Sequence, residues 1–205
     1  MNGDKKQDKI HKKSNDARRI PLHNLLIEVV SIILGVTLAL AVNEWRESRS
    51  HDEQAAAALV NIREEISANL KIMEFLHINN TATLNLMSQE QKPDSLSDQK
   101  FIPGLQIRET AWQTMLNTGI SAYVQYETIL MLSETYAMQE VYKKTATLIT
   151  EAAMNMSAYA AAQGLVPDNT HFQRQFIEYF GMLVEIENIL IQSYQKNLEE
   201  LKISG

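Results

Sequence analysis

The pattern of apolar positions changes character twice along the chain and divides it into three stretches. Residues 1–21 are polar and charged, residues 22–42 are almost continuously apolar, and residues 43–205 mix apolar and polar positions. In the third stretch, spacings of three and four dominate, as in the series Leu59, Ile62, Ile66, Asn69, Met73, Leu76, Asn80 and Met87. No segment shows the period-two alternation of a strand, so the pattern predicts an all-α chain.

Helix breakers divide the third stretch into about four helices, which we expect to form an antiparallel bundle. The first helix continues out of the apolar stretch to about Gln91, and residues 92–107 form a loop that holds two of the four prolines. Thr110 and Gln113 make a T-x-x-Q capping box, which predicts the start of a short helix. Gly119 is expected to stop that helix in a left-handed conformation.

Two longer helices complete the predicted bundle. One is expected over residues 121–162, with a late apolar line at Leu148, Ala152, Met156 and Tyr159, and it ends at Gly164. A second T-x-x-Q box at Thr170 and Gln173 predicts the start of the last helix. Its apolar line comprises Phe172, Phe176, Tyr179, Leu183, Ile186, Leu190, Tyr194, Leu198 and Leu201.

Residues 22–42 are the segment that could span a membrane. About 21 residues at roughly 1.5 Å per residue give about 31 Å, close to the roughly 30 Å hydrocarbon core of a bilayer. Nearly every face from Val29 to Val42 is apolar, unlike a surface helix with its polar stripe. The segment therefore predicts an uncleaved transmembrane helix. A cleaved signal peptide is the alternative, because Ala39-Leu40-Ala41 fits an A-x-A cleavage site.

The charges on the two sides of this segment predict its orientation. Residues 1–21 carry a net charge of +4, and the rest of the chain carries −10. Basic flanks of a span stay on the cytoplasmic side. We therefore expect a basic cytoplasmic arm (residues 1–21), a single span in the bacterial inner membrane (residues 22–42) and a periplasmic helical bundle (residues 43–205).

Composition and motifs argue against several classes of function. A net charge of −6 is unsuited to nucleic-acid binding, and the lack of cysteine leaves no disulfide or thiolate metal site. Glu74 and His77 make one Glu-x-x-His pair, whereas di-iron bundles need two such pairs and two further glutamates. The sequence has no nucleophile elbow and no glycine-rich phosphate loop. We expect no catalytic residue, no metal and no cofactor, and a di-metal carboxylate enzyme is the weakest alternative.

Small residues line one face of the span. Ser31, Gly35 and Ala39 recur at intervals of four residues, and Glu28 lies one turn before them. Small residues at this spacing let two transmembrane helices approach closely, and a serine can hydrogen-bond across the contact. The spacing predicts association of the span. Glu28 has two interpretations, an interfacial carboxylate near the cytoplasmic end or a carboxylate with a functional pairing.

The exit of the span carries two candidate anchor residues. Trp45 is placed for the membrane interface, where an indole buries its ring and keeps its N–H hydrated. Asn43 can form hydrogen bonds from its side chain to the backbone where the helix leaves the bilayer. These two complete a motif in which a Glu-led span ends in A-V-N-x-W-x-E, formed by Glu28, Ala41, Val42, Asn43, Trp45 and Glu47.

This anchor resembles that of an uncharacterised bacterial family of single-pass membrane proteins. The segment TAWQTMLNTG…YETILMLSETY is similar to the same family, with Trp112, Gly119 and Tyr126 at the matching places. The resemblance covers the anchor and the middle of the domain, and it implies no known activity.

Aromatic residues of the bundle have two interpretations. Trp112 is expected in the bundle core or at a helix cap. Seven tyrosines are consistent with a core whose phenols reach water, and equally with a ligand pocket between helices. They are Tyr123, Tyr126, Tyr136, Tyr142, Tyr159, Tyr179 and Tyr194.

Together these patterns favour a membrane-anchored, extracytoplasmic helical interaction module without catalysis. Its expected partners are the lipid bilayer and either a second copy of the chain, giving a homo-oligomer, or another membrane or periplasmic protein. The alternative from a different class is a small-molecule sensor domain that holds its ligand between bundle helices.

Overall fold

The computed structural model describes residues 22–88, 107–163 and 170–203, without the side chains of 22, 156–163, 170–173 and 203. This part of the chain contains four α-helices and one 3-10 turn, and it contains no strand. The helices are α1 (Leu22–Ser88), α2 (Thr110–Asn117), α3 (Tyr126–Gln163) and α4 (Thr170–Ile203), and the 3-10 turn is Ile120–Tyr123. The prediction of an all-α fold, with a long apolar N-terminal helix followed by bundle helices, is confirmed.

The chain divides into two units, Met1–Arg49 and Ser50–Gly205. The described part of the first unit is the start of α1, which is long and apolar enough to cross a membrane. None of its apolar window is buried, whereas the core helix of a soluble protein would be mostly buried. The finding fits a single-pass membrane protein. The predicted arm at residues 1–21 lies outside the described residues.

Helix α1 has no proline and a single glycine in 67 residues, so nothing in its backbone chemistry interrupts it. The prediction that the helix continues beyond the apolar stretch is confirmed as far as Ser88. Most of the predicted loop, residues 92–106, lies outside the described residues. Ile107 at its end is buried.

The second unit has one apolar core, to which α1, α2, α3 and α4 all contribute. The predicted line along α1 is confirmed, because its middle six positions are buried, including the polar Asn69 and Asn80. Trp112 lies in this core, as expected, with its indole stacked on the Tyr136 ring at 5.0 Å between centroids. The core comprises Ala55, Ile62, Ile66, Met73, Leu76, Ile107, Trp112, Met115, Ile120, Leu132, Tyr136, Tyr142, Ala146, Ile149, Phe180, Leu183, Leu190, Tyr194 and Leu201.

The capping box predicted at Thr110 is wrong. Glu109 takes the N-cap position of α2 and makes no side-chain capping bond. A free backbone N–H of the first turn of α2 finds its acceptor on α1, since the N–H of Ala111 donates to Glu65 Oε2 at 2.9 Å. The stop is confirmed: Gly119 has φ of 74°, a left-handed conformation that suits glycine.

Helix α3 begins at Tyr126, five residues after the predicted start at Ser121. The intervening chain forms the 3-10 turn and then passes through Val124, whose φ of −99° and ψ of 147° are extended. An extended residue cannot continue the α-helical hydrogen-bond ladder, so the long helix starts only beyond it.

The predicted faces of α3 and α4 are shifted by one residue in places. Leu148 is 66% exposed while Ile149 is 2% exposed, and Tyr179 is exposed while Phe180 is buried. The buried line of α3 includes Gln139 and Ala146, so apolarity alone does not identify the face that packs. Gly164, Pro167, and the side chains of Met156, Tyr159, Thr170, Phe172 and Gln173 lie outside the described residues.

The shift between the two neighbouring positions of α3 gives a direct test. Ile149→Ala should lower the free energy of unfolding by about 2–5 kcal/mol, because it leaves a cavity in the core. Leu148→Ala is the matched control and should change it by less than about 0.5 kcal/mol, since the side chain is mostly in solvent. Denaturant unfolding followed by circular dichroism measures both. Equal losses would contradict the described phase of α3.

Candidate functional site

The first candidate site is the span stripe, defined as Glu28, Ser31, Gly35 and Ala39. The structure places all four on α1, where spacings of three and four residues bring them onto one face. Each of the four is exposed. A Cβ built on Gly35 would meet no atom within 4 Å in the described chain, apart from the nearby backbone of α1 itself. The chain's own packing therefore does not explain why these positions are small.

The second candidate group is the anchor at the end of the apolar segment. Trp45 is 62% exposed, and the Arg49 guanidinium lies 5.9 Å from the centroid of its ring. This distance is within the range of a cation–π contact. Asn43 is also exposed, and it lies on roughly the opposite side of α1 from the indole. The Trp45 indole and the Arg49 guanidinium combine an apolar ring with a charged group, a combination that is common at membrane interfaces.

A third set of residues, which we call the polar core, lies inside the bundle and was missed as a site by the sequence analysis. Its first member is Glu65 on α1, which is 8% exposed. Its carboxylate accepts hydrogen bonds from Tyr136 Oη at 2.7 Å and from the Ala111 backbone N–H at 2.9 Å. One carboxylate thus connects α1, α2 and α3, and both of its oxygens have a donor.

Asn69 forms the next layer of the polar core, one turn further along α1. Its Nδ2 donates to the carbonyl oxygen of Arg108 at 2.7 Å, and its Oδ1 accepts from the Arg108 N–H at 2.9 Å. The Asn69 amide therefore pairs with the Arg108 backbone as a second peptide group would. Gln139 on α3 donates to the same carbonyl at 3.0 Å and accepts from Tyr194 Oη at 2.8 Å. This layer ties α1, the chain before α2, α3 and α4 together.

A third layer joins α3 to α4. Thr135 and Ser193 share a hydrogen bond of 2.5 Å between their hydroxyls. Asn197 Nδ2 donates to the same Thr135 oxygen at 2.8 Å. Thr135 and Asn197 are both buried, so these bonds satisfy groups that water cannot reach.

Glu187 on α4 forms the last layer, and its side chain has no exposed surface. Its Oε1 accepts from Asn80 Nδ2 at 2.6 Å and from Tyr142 Oη at 3.2 Å. Its Oε2 lies 3.5 Å from His77 Nδ1, within ion-pair distance. Neither of these two buried atoms has a hydrogen-bond partner in the part of the chain that the structure describes.

The environment of these groups changes their acidity. Burial raises the pKa of the Glu187 carboxyl to about 7, although the hydrogen bonds from Asn80 and Tyr142 act in the opposite direction. Burial also raises the pKa of the three buried tyrosines, helped by the nearby carboxylates, so these phenols stay protonated and act as donors.

The buried tyrosines do not fit the expectation of phenols that reach water. The hydroxyls of Tyr136, Tyr142 and Tyr194 donate to Glu65, Glu187 and Gln139 inside the bundle. Exposed tyrosines are Tyr123, Tyr126 and Tyr179, and the Tyr123 ring stacks on His51 at 4.1 Å between centroids.

The two members of the Glu-x-x-His pair, Glu74 and His77, face different surroundings. Glu74 is exposed, whereas His77 turns towards Glu187 of α4. Across the described residues, no three His, Asp or Glu side chains come together in a way that could hold a metal ion. The pair therefore has no further ligands for a di-metal site among the residues that the structure describes.

A groove of 940 Å³ lies between α1 and α2. Its walls include the small Ala57 and Ala58 on one side and Thr114 and Met115 on the other, and Glu65 contributes to the lining. No tyrosine of the described residues lines this groove, so it differs from the tyrosine-lined pocket considered from the sequence.

The helical spacing of the sequence is the signal that could have identified the two buried carboxylates. Glu65 falls between Ile62 and Asn69 in the buried line of α1, and Glu187 falls between Leu183 and Leu190 in that of α4. A charged residue in phase with a core line predicts a buried carboxylate, which then needs donors from facing helices. The exposed Glu185 shows the contrast two residues away.

Comparison with known proteins identifies no relative. No protein-family model, no curated protein and no solved structure matches the chain.

The pairing of Asn69 with Arg108 predicts a specific loss of stability. Asn69→Asp removes the donor to the Arg108 carbonyl and buries a charge, so the free energy of unfolding should fall by about 3 kcal/mol at pH 7. The loss should shrink at pH 4, where the new carboxyl is protonated and can donate again. Denaturant unfolding at the two pH values measures this.

Asn79→Asp is the matched control on the same helix. Asn79 is exposed, and its side chain donates to the Phe75 carbonyl one turn before it. Its replacement should cost less than about 1 kcal/mol. Equal effects of the two substitutions would contradict the role assigned to the polar core.

Proposed function

We propose that the chain is a membrane-anchored helical interaction module that associates with a second copy of itself through its span. The observation that carries this proposal is the apolar start of α1, which is long enough to cross a bilayer and is not buried by any described part of the chain. The proposal assigns the protein no catalysis.

The free energy of hydrophobic transfer supports anchoring. Twelve large apolar side chains between Leu25 and Val42 are 45–67% exposed. Full burial of one such side chain contributes about 1.5–3 kcal/mol, and about half of each remains exposed, so a bilayer would supply roughly 10–20 kcal/mol for the set. Water-exposed patches of this extent are rare on soluble monomers. A lipid environment is the simplest partner for this surface.

The charge distribution supports an orientation. The +4 arm before the span and the −10 remainder after it favour a cytoplasmic N-terminus. We therefore place the bundle in the bacterial periplasm and the span in the inner membrane. The exposed Trp45 with its Arg49 neighbour would then lie at the periplasmic interface.

The span stripe supports association between spans. A transmembrane helix without an intramolecular partner can contact only lipid or another span. Gly35 has open space beside it, and Ser31 and Ala39 place small side chains on the same face one turn before and one turn after it. A second helix could therefore approach this face at close range, where dispersion contacts stabilise the pair. The resemblance to single-pass membrane proteins agrees with this arrangement.

The bundle offers further surface for a partner. Leu130, Val141 and Leu148 are exposed and follow one face of α3, while Met182 and Ile189 are exposed on α4. Exposed apolar side chains that share a face are typical of protein contacts. These residues support a second contact between copies or a contact with another periplasmic protein.

The sensor domain is the second candidate, and the groove between α1 and α2 favours it. Its volume of 940 Å³ lies within the range of small-molecule sites. Ligand binding there should raise the melting temperature of the protein. In an interaction module, substitutions in the span would instead change how strongly two copies associate.

The central prediction concerns Gly35. Gly35→Leu adds a bulky side chain where the two backbones would approach, and it should weaken association in membranes by about tenfold, or about 1.4 kcal/mol. Because the chain has no cysteine, Ser31→Cys provides a unique thiol, and its disulfide crosslinking yield in membranes measures association.

Val36→Leu is the control, since it adds bulk on a neighbouring face. Glu28→Gln should preserve crosslinking and Glu28→Leu should reduce it if the carboxyl is hydrogen-bonded between the spans. Equal crosslinking in Gly35→Leu and Val36→Leu would contradict association through the stripe. Crosslinking that requires another protein would instead assign the face to a hetero-partner.

A further inference from the structure

Glu187 is a buried acid that faces few groups able to offset a negative charge. Asn80 and His77 of α1 and Tyr142 of α3 face its carboxyl group, and among these only His77 can carry a positive charge. Both hydrogen bonds go to Oε1, which leaves Oε2 without a donor within the described chain. His77 Nδ1, at 3.5 Å, is equally without a partner there.

One added proton would satisfy both Glu187 Oε2 and His77 Nδ1. A carboxylate removed from water is destabilised unless it is paired or protonated. A proton on Oε2 neutralises the carboxylate and provides a donor towards Nδ1. Uptake of this one proton removes the uncompensated charge between α1 and α4.

We propose that Glu187 and His77 form a proton-binding site in the bundle core, which strengthens the packing of α4 against α1 and α3 as the pH falls through neutrality. The ligand of this site is the proton. The site lies within the unit Ser50–Gly205, so it depends neither on the membrane anchor nor on its orientation.

The acidity of the carboxyl agrees with this geometry and gives the sign of the effect. The pKa of Glu187 rises on burial from an ordinary 4.5 to about 7 in the folded protein. Between these values the folded state holds a proton that the unfolded state has lost. The contribution of Glu187 to stability is therefore greatest below pH 4.5 and decreases as the pH rises through 7, above which the folded state bears the full cost of the buried charge.

The experiment is denaturant unfolding of the full chain in detergent micelles at pH 5 to pH 8, followed by circular dichroism. Linkage from the two pKa values predicts that the unfolding equilibrium constant of the wild type rises about 70-fold over this range through Glu187. Glu187→Gln keeps an oxygen for Asn80 and Tyr142 and does not titrate, so its profile should lack this rise. Glu185→Gln, two residues away and exposed, should behave like the wild type.

Infrared difference spectroscopy of the same samples provides a readout that does not depend on folding of a variant. Between pH 5.5 and pH 8 the wild type and Glu185→Gln should lose the carbonyl band of one protonated carboxyl group, and Glu187→Gln should lack that band. Parallel unfolding profiles for wild type and Glu187→Gln would overturn the proposal. If Glu187→Gln fails to fold, the wild-type spectrum decides: a titrating band supports the site, and its absence overturns it.

Discussion

The pairing of the Asn69 side chain with the Arg108 backbone is the contact on which the rest of the bundle depends. Ile107 enters the core, so the peptide groups that follow it lose water and must find other partners. Asn69 satisfies both groups of Arg108, and Gln139 adds a second donor. With this segment held, α2 begins where the Ala111 N–H can donate to Glu65, and the Trp112 indole stacks on the ring of Tyr136. A slide of α1 by one residue would break the contacts of Asn69 and Glu65 together.

The same helix meets two environments, and the side chains along it differ accordingly. From Leu25 to Val42 almost every position is apolar, and none is covered by the chain. After Ser50, the buried residues of α1 form a narrow line in which Glu65, Asn69 and Asn80 also take part. A nonpolar surface on all sides suits lipid, whereas a narrow line with buried polar groups suits neighbours that supply specific donors. This contrast within one helix is the physical basis of the proposed anchor and bundle.

Much of the helical architecture follows from spacing, and most of the polar core does not. The line from Ile62 to Asn80 predicted the buried face of α1, and Gly119 predicted the stop of α2. The cap at Thr110 was wrong because Glu109 takes the N-cap position and the Gln113 N–H donates to its carbonyl. The Ala111 N–H donates to Glu65, 46 positions away, and local sequence cannot show that contact. In α3 the apolar residues lie on several faces, so Leu148 was placed inside although Ile149 packs there. The candidate stripe in the span was readable from sequence because it depends on residue size alone. The partners of Glu187 required the tertiary arrangement of three helices.

The proposed topology has a single span, with the bundle and the basic arm on opposite sides of the membrane. Labelling with a membrane-impermeant thiol reagent that passes the outer membrane tests this in intact cells, since the native chain contains no cysteine. Tyr126→Cys places a thiol on the bundle at a position that is 72% exposed, and Ser14→Cys places one in the arm. The account predicts that the thiol at 126 reacts in intact cells, that the thiol at 14 reacts only after lysis, and that both proteins stay full length in the membrane fraction. Labelling at 14 but not at 126 in intact cells, or a soluble product shortened at the end of the apolar segment, would contradict it.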